Sequence, residues 1–497
     1  MIQKKLTNWL LIFACSTVFW LTAGCQQQAN SEVDNVRILH TLDRLSFGTT
    51  SETIQQVKDR GIEAYIQAQL NPESIPRSPV LKRYLAKSKL IQTNPSILLE
   101  RHKKNRQRIE KTQLSPTEKE KVNLEIRNYR QKIRHQAMEA NLARAIAANS
   151  QLQEVMTNFW FNHFNVFLHK NDLDFWIADY ENDIRKLALG SFRDLLGMTA
   201  RHPAMLIYLD NQLNTDPNSR FAKGQFKGLN ENYARELMEL HTLGVDGGYS
   251  QKDVETLARI LTGWGVDRTN TRGDENGFSF FPNRHDRSDK IFLGQEIPAG
   301  GIEEGEKALD ILASHPATAR FISYKLARYF VADTPPSSLV DALTRKFLDS
   351  GGNIKIVLNT LFHSQEFNDP QYYNQKFKTP YQYLVSLIRA SGISEPNLQR
   401  LNGMLYQLAM PVYRCETPNG YPDTQDAWLN PDAMLRRVSF ATAISNGALN
   451  KENPIDIDLL NAGFGNRFSN QTKEVIDRNK PRLQPALMLG SPEVMYR

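Results

Sequence analysis

Glu236 and Glu239 lie one helical turn apart in the block Asn230–Ser250, which reads NENYARELMELHTLGVDGGYS, with polar residues crowding one helix face. At about 100° per residue, Glu231, Arg235 and Glu239 share one stripe of a helix, with Asn232 and Glu236 beside it. Two carboxylates at that spacing raise the pKa of one of them, so the pair can share a proton or ligate a hard cation. Glu236 and Glu239 are therefore the candidate acid/base residues, and a divalent metal ion is the candidate cofactor. Asn232 and Arg235 are candidate binding residues next to them. The same stripe also has a structural use, because a Glu231–Arg235–Glu239 ladder supports a helix by about 0.2–0.5 kcal/mol per pair. Gly244–Gly248 gives the following loop freedom to close over the stripe, and Ser250-x-x-Asp253 has the form of a capping box.

Histidines supply the other candidates. His241 turns away from the two glutamates, toward Tyr233, Leu237 and Leu240, which disfavours a one-helix chelate and puts it among the binding residues. His163 lies on an apolar stripe, four residues after Phe159 and three after Trp160; with Asn162 it would line a pocket for a ring-shaped ligand. His285 and Asp286 fall in a polar turn where no packing need demands them, and they are candidate metal ligands that could complete a site with the glutamates. His202 and His315 each precede a proline at a helix start, so both are expected to cap helices. Cys415 has no histidine after it, and the nearest before it is His363, which removes the base that a thiol nucleophile needs. The chain contains no GxSxG elbow, Walker loop, Rossmann glycine pattern or CxxC pair, so the readily recognised nucleotide, redox and α/β-hydrolase classes are excluded.

The elements that must position these residues are helical. Apolar residues at Val155, Met156, Phe159, Trp160 and Phe164, and again at Ala319, Ile322, Leu326, Tyr329 and Phe330, follow the i, i+3, i+4, i+7 template. The one strong β signal is Gly277–Gly294, where Phe278 and Phe280 alternate, a polar turn follows, and Ile291 and Leu293 return; this predicts a β-hairpin over 277–294. The predicted fold class is thus mostly α: a large multi-helix domain, 36–497, with a small β-hairpin insertion. Between Leu81 and His135 sixteen Lys/Arg stand against five Asp/Glu, while the whole chain carries only +7, so the remainder is net acidic. Residues 81–135 are predicted to form a basic helical hairpin broken near Ser115-Pro116, its charges keeping an exposed element soluble.

The N-terminus carries an address. Lys4 and Lys5 precede an apolar run from Trp9 to Leu21, and Leu21-Thr22-Ala23-Gly24-Cys25 follows at once, the order of a secretory signal. The run is shorter than the roughly 20 apolar residues of a membrane span. Residues 1–24 are therefore expected to be a lipoprotein signal peptide, Cys25 the lipidated first residue of the mature chain, and 25–35 a tether. The predicted location is the cell envelope, with the lipid anchor in the membrane; Gln26 favours the outer membrane of a two-membrane organism. With Cys15 removed and Cys25 acylated, Cys415 is left alone and no intramolecular disulfide can form.

Six segments in order, FWFNHF (Phe159–Phe164), the Asn230–Ser250 block, TGW (Thr262–Trp264), HPATARFISYKL (His315–Leu326), KFKTP (Lys376–Pro380) and the closing LGSPE, resemble the bacterial "domain of unknown function 1800" family. The resemblance spans most of the mature chain and implies a mostly helical, often exported protein with no assigned reaction, so no catalytic residue carries over. Val494 stands where the family tends to an aromatic, and the basic hairpin is expanded. The functional expectation is a cell-envelope lipoprotein that acts on or binds an envelope polymer through an acidic pocket at Glu236/Glu239. The alternative is a non-catalytic binding or assembly factor with an envelope glycan or protein partner. An exported chain is not expected to bind nucleic acid.

Overall fold

The computed structural model describes residues 34–111, 114–226, 228–268, 276–450 and 455–497. Helices follow one another throughout, and local chemistry marks their starts. Ser115 with Glu118, Ser250 with Asp253 and Thr379 with Gln382 form complete capping boxes, each satisfying two of the N–H groups that a helix start leaves unpaired. His202 and His315 do cap helices: Nδ1 of each accepts from the backbone N–H two residues on, at 3.1 Å, and the proline between them occupies the first helical position, where no N–H is missed. Gly61, at φ 87, separates Ser51–Arg60 from Ile62–Leu70 where the sequence pattern ran on.

Two helices are buried nearly all the way round and lie centrally. Every residue of Pro380–Ala390 is buried, and Gln151–His163 buries ten of its thirteen residues, including Val155, Met156, Phe159 and Trp160. Outer helices pack around them: Ile177–Leu187 lies against Gln151–His163, and Ser337–Asp349 against Pro316–Phe330. A continuous hydrophobic core reaches from Leu45 to Met495. Among the described residues no helix is long and apolar enough to cross a membrane.

The basic segment forms two long helices, Pro95–Lys111 and Pro116–Ala147, with the break at Ser115-Pro116 as expected. Its boundaries differ from 81–135, because Pro79–Lys87 is a separate short helix and the second long helix continues to Ala147, where Ala140–Ala145 enter the core. Exposed pairs Arg108–Glu125 and Lys104–Glu100 dress the hairpin, while Arg130 and Arg134 converge on the fully buried Asp174 at 2.7 and 3.0 Å and fix its base to the body.

The β-structure is small, as expected, but paired differently. Strand β1 (Trp264–Val266) pairs antiparallel with β2 (Phe278–Phe280), and β3 (Lys290–Phe292) with β4 (Gln295–Ile297). No 277–294 hairpin forms, because Leu293 and Gly294 take φ 48 and 76 and make a two-residue turn that folds β3 back onto β4. The predicted signal peptide, Cys25 and most of the 25–35 tether lie outside the described residues.

Candidate functional site

A cavity of about 500 Å³ opens where the C-terminal end of Gln151–His163 meets Pro316–Phe330 and the irregular segment before Gln425. Helical spacing explains what Pro316–Phe330 shows it. Ala319, Ile322, Leu326 and Phe330 go to the core, and the opposite stripe, Phe321, Tyr324, Lys325 and Arg328, recurs at i, i+3, i+4 and i+7 and lines the cavity. Asn162 and His163 close its floor, Tyr421 and Asp423 one wall, and Leu240, at the end of the Asn232–Glu239 helix, part of its rim.

The central contact is between Lys325 and His163. Lys325 Nζ donates to His163 Nδ1 at 2.8 Å, and His163 Nε2 donates to the His241 carbonyl at 3.1 Å. That carbonyl fixes the neutral tautomer with the proton on Nε2. His163 is buried among Trp160, Phe164 and Phe321; burial first, then the charge of Lys325, holds its pKa well below the ordinary range. His241 is buried beside it, and burial followed by Lys325 lowers its pKa to about 3. Lys325 itself is pulled down to about 8 by burial and by Arg328, against an opposing pull from Asp423. No carboxylate bonds to its amine among the described residues. Arg328 pairs with Asp423 at 2.8 Å, and the Phe321 ring lies 5.4 Å beneath the Lys325 ammonium.

The wall is clamped rather than loose. Asn162 donates to the Tyr421 carbonyl at 2.8 Å and accepts from its N–H at 2.7 Å, so the side chain replaces a strand partner for a segment that has none. Gly420 makes this possible: it sits at φ 74, and a Cβ there would come within 2.2 Å of the Asn162 carbonyl oxygen. Asn165 donates to the Cys415 and Thr417 carbonyls, and Tyr208 to that of Glu416. Cys415 is buried with its sulfur against Thr417.

The sequence-predicted residues divide into groups. Asn162 and His163 line this cavity, and His241, in the turn after the Asn232–Glu239 helix, packs its ring against His163 and Phe164 behind it. Glu236 and Glu239 lie together on the half-buried face of Asn232–Glu239. The Glu236 pKa is raised by burial and then by Glu239, with Arg235 opposing. Arg235 pairs with Glu231 at 3.3 Å and with Gln251 at 2.9 Å, and Gln251 closes the triangle on Glu231; Glu239 is outside it. Asn232 is exposed, its side chain donating to the Leu209 carbonyl. Past the Gly244–Gly248 loop, Tyr249 lies near the glutamates, and burial, then Glu239 and Glu236, raise its pKa. Gly244, at φ 84, lies against the Phe321 ring.

His285 and Asp286 are not in an exposed turn; both are buried. His285 places Nδ1 2.9 Å from the Thr262 carbonyl and Nε2 3.0 Å from Glu304 Oε1. Lys290 reaches Glu304 Oε2 at 2.8 Å, and Arg259 reaches Asp286 at 3.0 Å. Both imidazole nitrogens are already engaged within the network, and Lys290 and Arg259 pair with its two carboxylates. Among the described residues, the group of three with ligand atoms within 4.8 Å of one another is Asp179, Asp183 and His202. There His202 Nδ1 accepts from Ala204, so Nε2 keeps its proton and faces Asp179 at 3.3 Å, and Asp183 pairs with Lys186 at 2.7 Å. A protonated nitrogen and a neutralised carboxylate make a poor cation site.

Sequence reasoning missed Lys325, Arg328, Tyr421 and Asp423. A signal existed for two of them, because Phe321, Tyr324, Lys325 and Arg328 form a second stripe at helical spacing opposite the apolar one. No curated protein and no solved structure matches the chain. The model of the family described as "Protein of unknown function (DUF1800)" matches residues 40–496, including the helices that carry His163 and Lys325, the turn that carries His241 and the segment that carries Tyr421, and the chain belongs to that family.

Proposed function

We propose that this chain is a lipid-anchored cell-envelope protein that binds an acidic carbohydrate of an envelope polymer in the His163–Lys325 cavity. The observation that carries the reading is the Lys325 amine, held by a neutral histidine and, among the described residues, ion-paired to no carboxylate. Desolvating a cation without an anion is costly, and a bound carboxylate would supply the missing charge. Lys325 and Arg328 against Asp423 leave the cavity net positive. Phe321, Tyr324 and Tyr421 offer faces for a sugar ring, and about 500 Å³ lies within the usual range of small-ligand sites. The test is calorimetry of the chain from residue 26 with uronate-containing oligosaccharides and their uncharged counterparts. The acidic ligand should bind at least about tenfold tighter, a difference of 1.4 kcal/mol, and Lys325→Met should abolish that preference; equal affinities would overturn the reading. The anchor is tested separately: fatty-acid labelling should be lost in Cys25→Ser.

A second reading keeps the glutamates. The raised pKa of Glu236, caused by burial and by Glu239, supports a proton-sharing pair that would act on the bound polymer. Turnover of a polymer that binds, lost in Glu236→Gln, would make the protein an enzyme. Binding without turnover would leave it a binding or assembly factor of the envelope.

A further inference from the structure

We propose that Lys325 is a nucleophilic amine that forms an imine with a 2-oxo acid, open-chain 2-oxo sugar acids included, while Arg328 holds the neighbouring carboxylate. This rests on the reading of the cavity as a carboxylate-binding site. A lysine becomes a nucleophile when it is desolvated or set beside another cation, and both conditions hold here. Its amine lies in the cavity over the Phe321 face, and Arg328 follows it by three residues on the same helical stripe.

The hydrogen bond to His163 directs the amine and does not consume its lone pair, because Lys325 is the donor. His163 in turn is held by the His241 carbonyl and stays neutral, so it accepts from the lysine without competing as a cation. The lowered lysine pKa, about 8, leaves a useful fraction of neutral amine near pH 7. Arg328 is tied to Asp423 through one guanidinium nitrogen. Its fork carries five N–H donors, which leaves others for a carboxylate. A 2-oxo acid carries its carbonyl carbon beside its carboxylate, so one ligand presents both groups to Lys325 and Arg328 in the same cavity.

The step balances without an added oxidant or reductant. The neutral amine lone pair attacks the carbonyl carbon, the C=O π pair moves to oxygen, and that oxygen takes a proton from the nitrogen. The C–O bond then breaks, the hydroxyl leaves as water with one proton from solvent, and the C=N bond forms as an iminium.

The experiment treats the mature chain with pyruvate and cyanoborohydride at pH values from 6.5 to 9.5 and maps adducts by peptide mass spectrometry. Lys325 should carry at least about ten times the adduct of the median lysine, with its labelling midpoint near pH 8. Pyruvate should outcompete acetone, the methyl ketone that lacks the carboxylate, and Arg328→Gln should erase that preference. Circular dichroism of Arg328→Gln and Lys325→Arg checks that both remain folded. Uniform labelling of all lysines, or no preference for pyruvate, overturns the inference. Calorimetry with glucuronate separates the two failures: glucuronate binding without a Lys325 adduct removes the imine and leaves the binding reading, whereas neither binding nor adduct removes both.

Discussion

Replacing Lys325 with methionine should alter stability by an amount that depends on pH, and the size follows from the cavity. Burial and Arg328 pull the Lys325 pKa from 10.5 to about 8. Between those values the unfolded chain binds the proton and the folded chain does not, so wild-type stability gains as pH rises through that window. Below pH 8 the wild type carries the full cost of a buried ammonium; the methionine variant carries none at any pH. At about 1.36 kcal/mol per pKa unit, the cost is about 3 kcal/mol at pH 7, and about 2.5 kcal/mol of it is relieved by pH 10. Losing the donor to His163 Nδ1 costs the variant about 1–3 kcal/mol, but that term is the same at every pH and cancels in the comparison. Lys376 and Lys378, whose burial lowers them to about 8 and about 7, titrate in both proteins and cancel as well. The assay is urea unfolding of both proteins at pH 7, 8, 9 and 10. In thermal melts the entropy of a chain this long converts the change to about 2–3 °C. The variant should hold its greatest relative advantage at pH 7 and lose it progressively toward pH 10. A wild-type-to-variant difference that stays flat with pH would refute the argument, because it would mean that Lys325 titrates at its ordinary value and the cavity does not desolvate it.

Three further perturbations probe the surrounding structure. Glu304→Gln leaves His285 and Lys290 without their shared carboxylate, and removing one partner of a buried pair should destabilise the fold by about 3–5 kcal/mol, read from the denaturation midpoint; a loss below 1 kcal/mol would mean that the network is solvated. Gly420→Ala drives a Cβ to 2.2 Å from the Asn162 carbonyl in a positive-φ backbone, so it should destabilise by about 1–3 kcal/mol and weaken ligand binding at the cavity, whereas Gly403→Ala, with open space around it, should do neither. For Glu236→Gln the sign comes from the raised carboxylate pKa: the ionised form is the disfavoured one, so the variant should be at least as stable as wild type at pH 7.5 and should lose that advantage as pH falls through the raised value toward the ordinary glutamate value of 4.5. A clear loss of stability at pH 7.5 would show that the ionised Glu236 has a favourable partner.

Helices were legible because their signals are local. Ser115 with Glu118 and Ser250 with Asp253 mark starts that the structure reproduces, and the histidine caps at His202 and His315 follow from the proline beside each. The strand pairing was not legible, because strands of three residues carry almost no periodicity and the partner is chosen by Leu293 adopting a left-handed conformation that leucine does not announce. His285 and Asp286 stand in a stretch of turn-like composition, which reads as exposed; their burial depends on Arg259, Lys290 and Glu304, which come from three places in the chain and neutralise one another only once folded.

The cavity shows the same limit most sharply. A histidine on an apolar stripe reads as a core residue, and a lysine on a polar stripe reads as a solvated face; each reading is reasonable for its own helix. His163 and Lys325 are 162 residues apart, and their meeting is what gives either one chemistry: burial and the charge of Lys325 keep the histidine neutral, and burial with Arg328 lowers the lysine to about 8. Local pattern bounds which residues face inward, but a perturbed amine is a property of the pair, and the pair exists only where two distant helices cross.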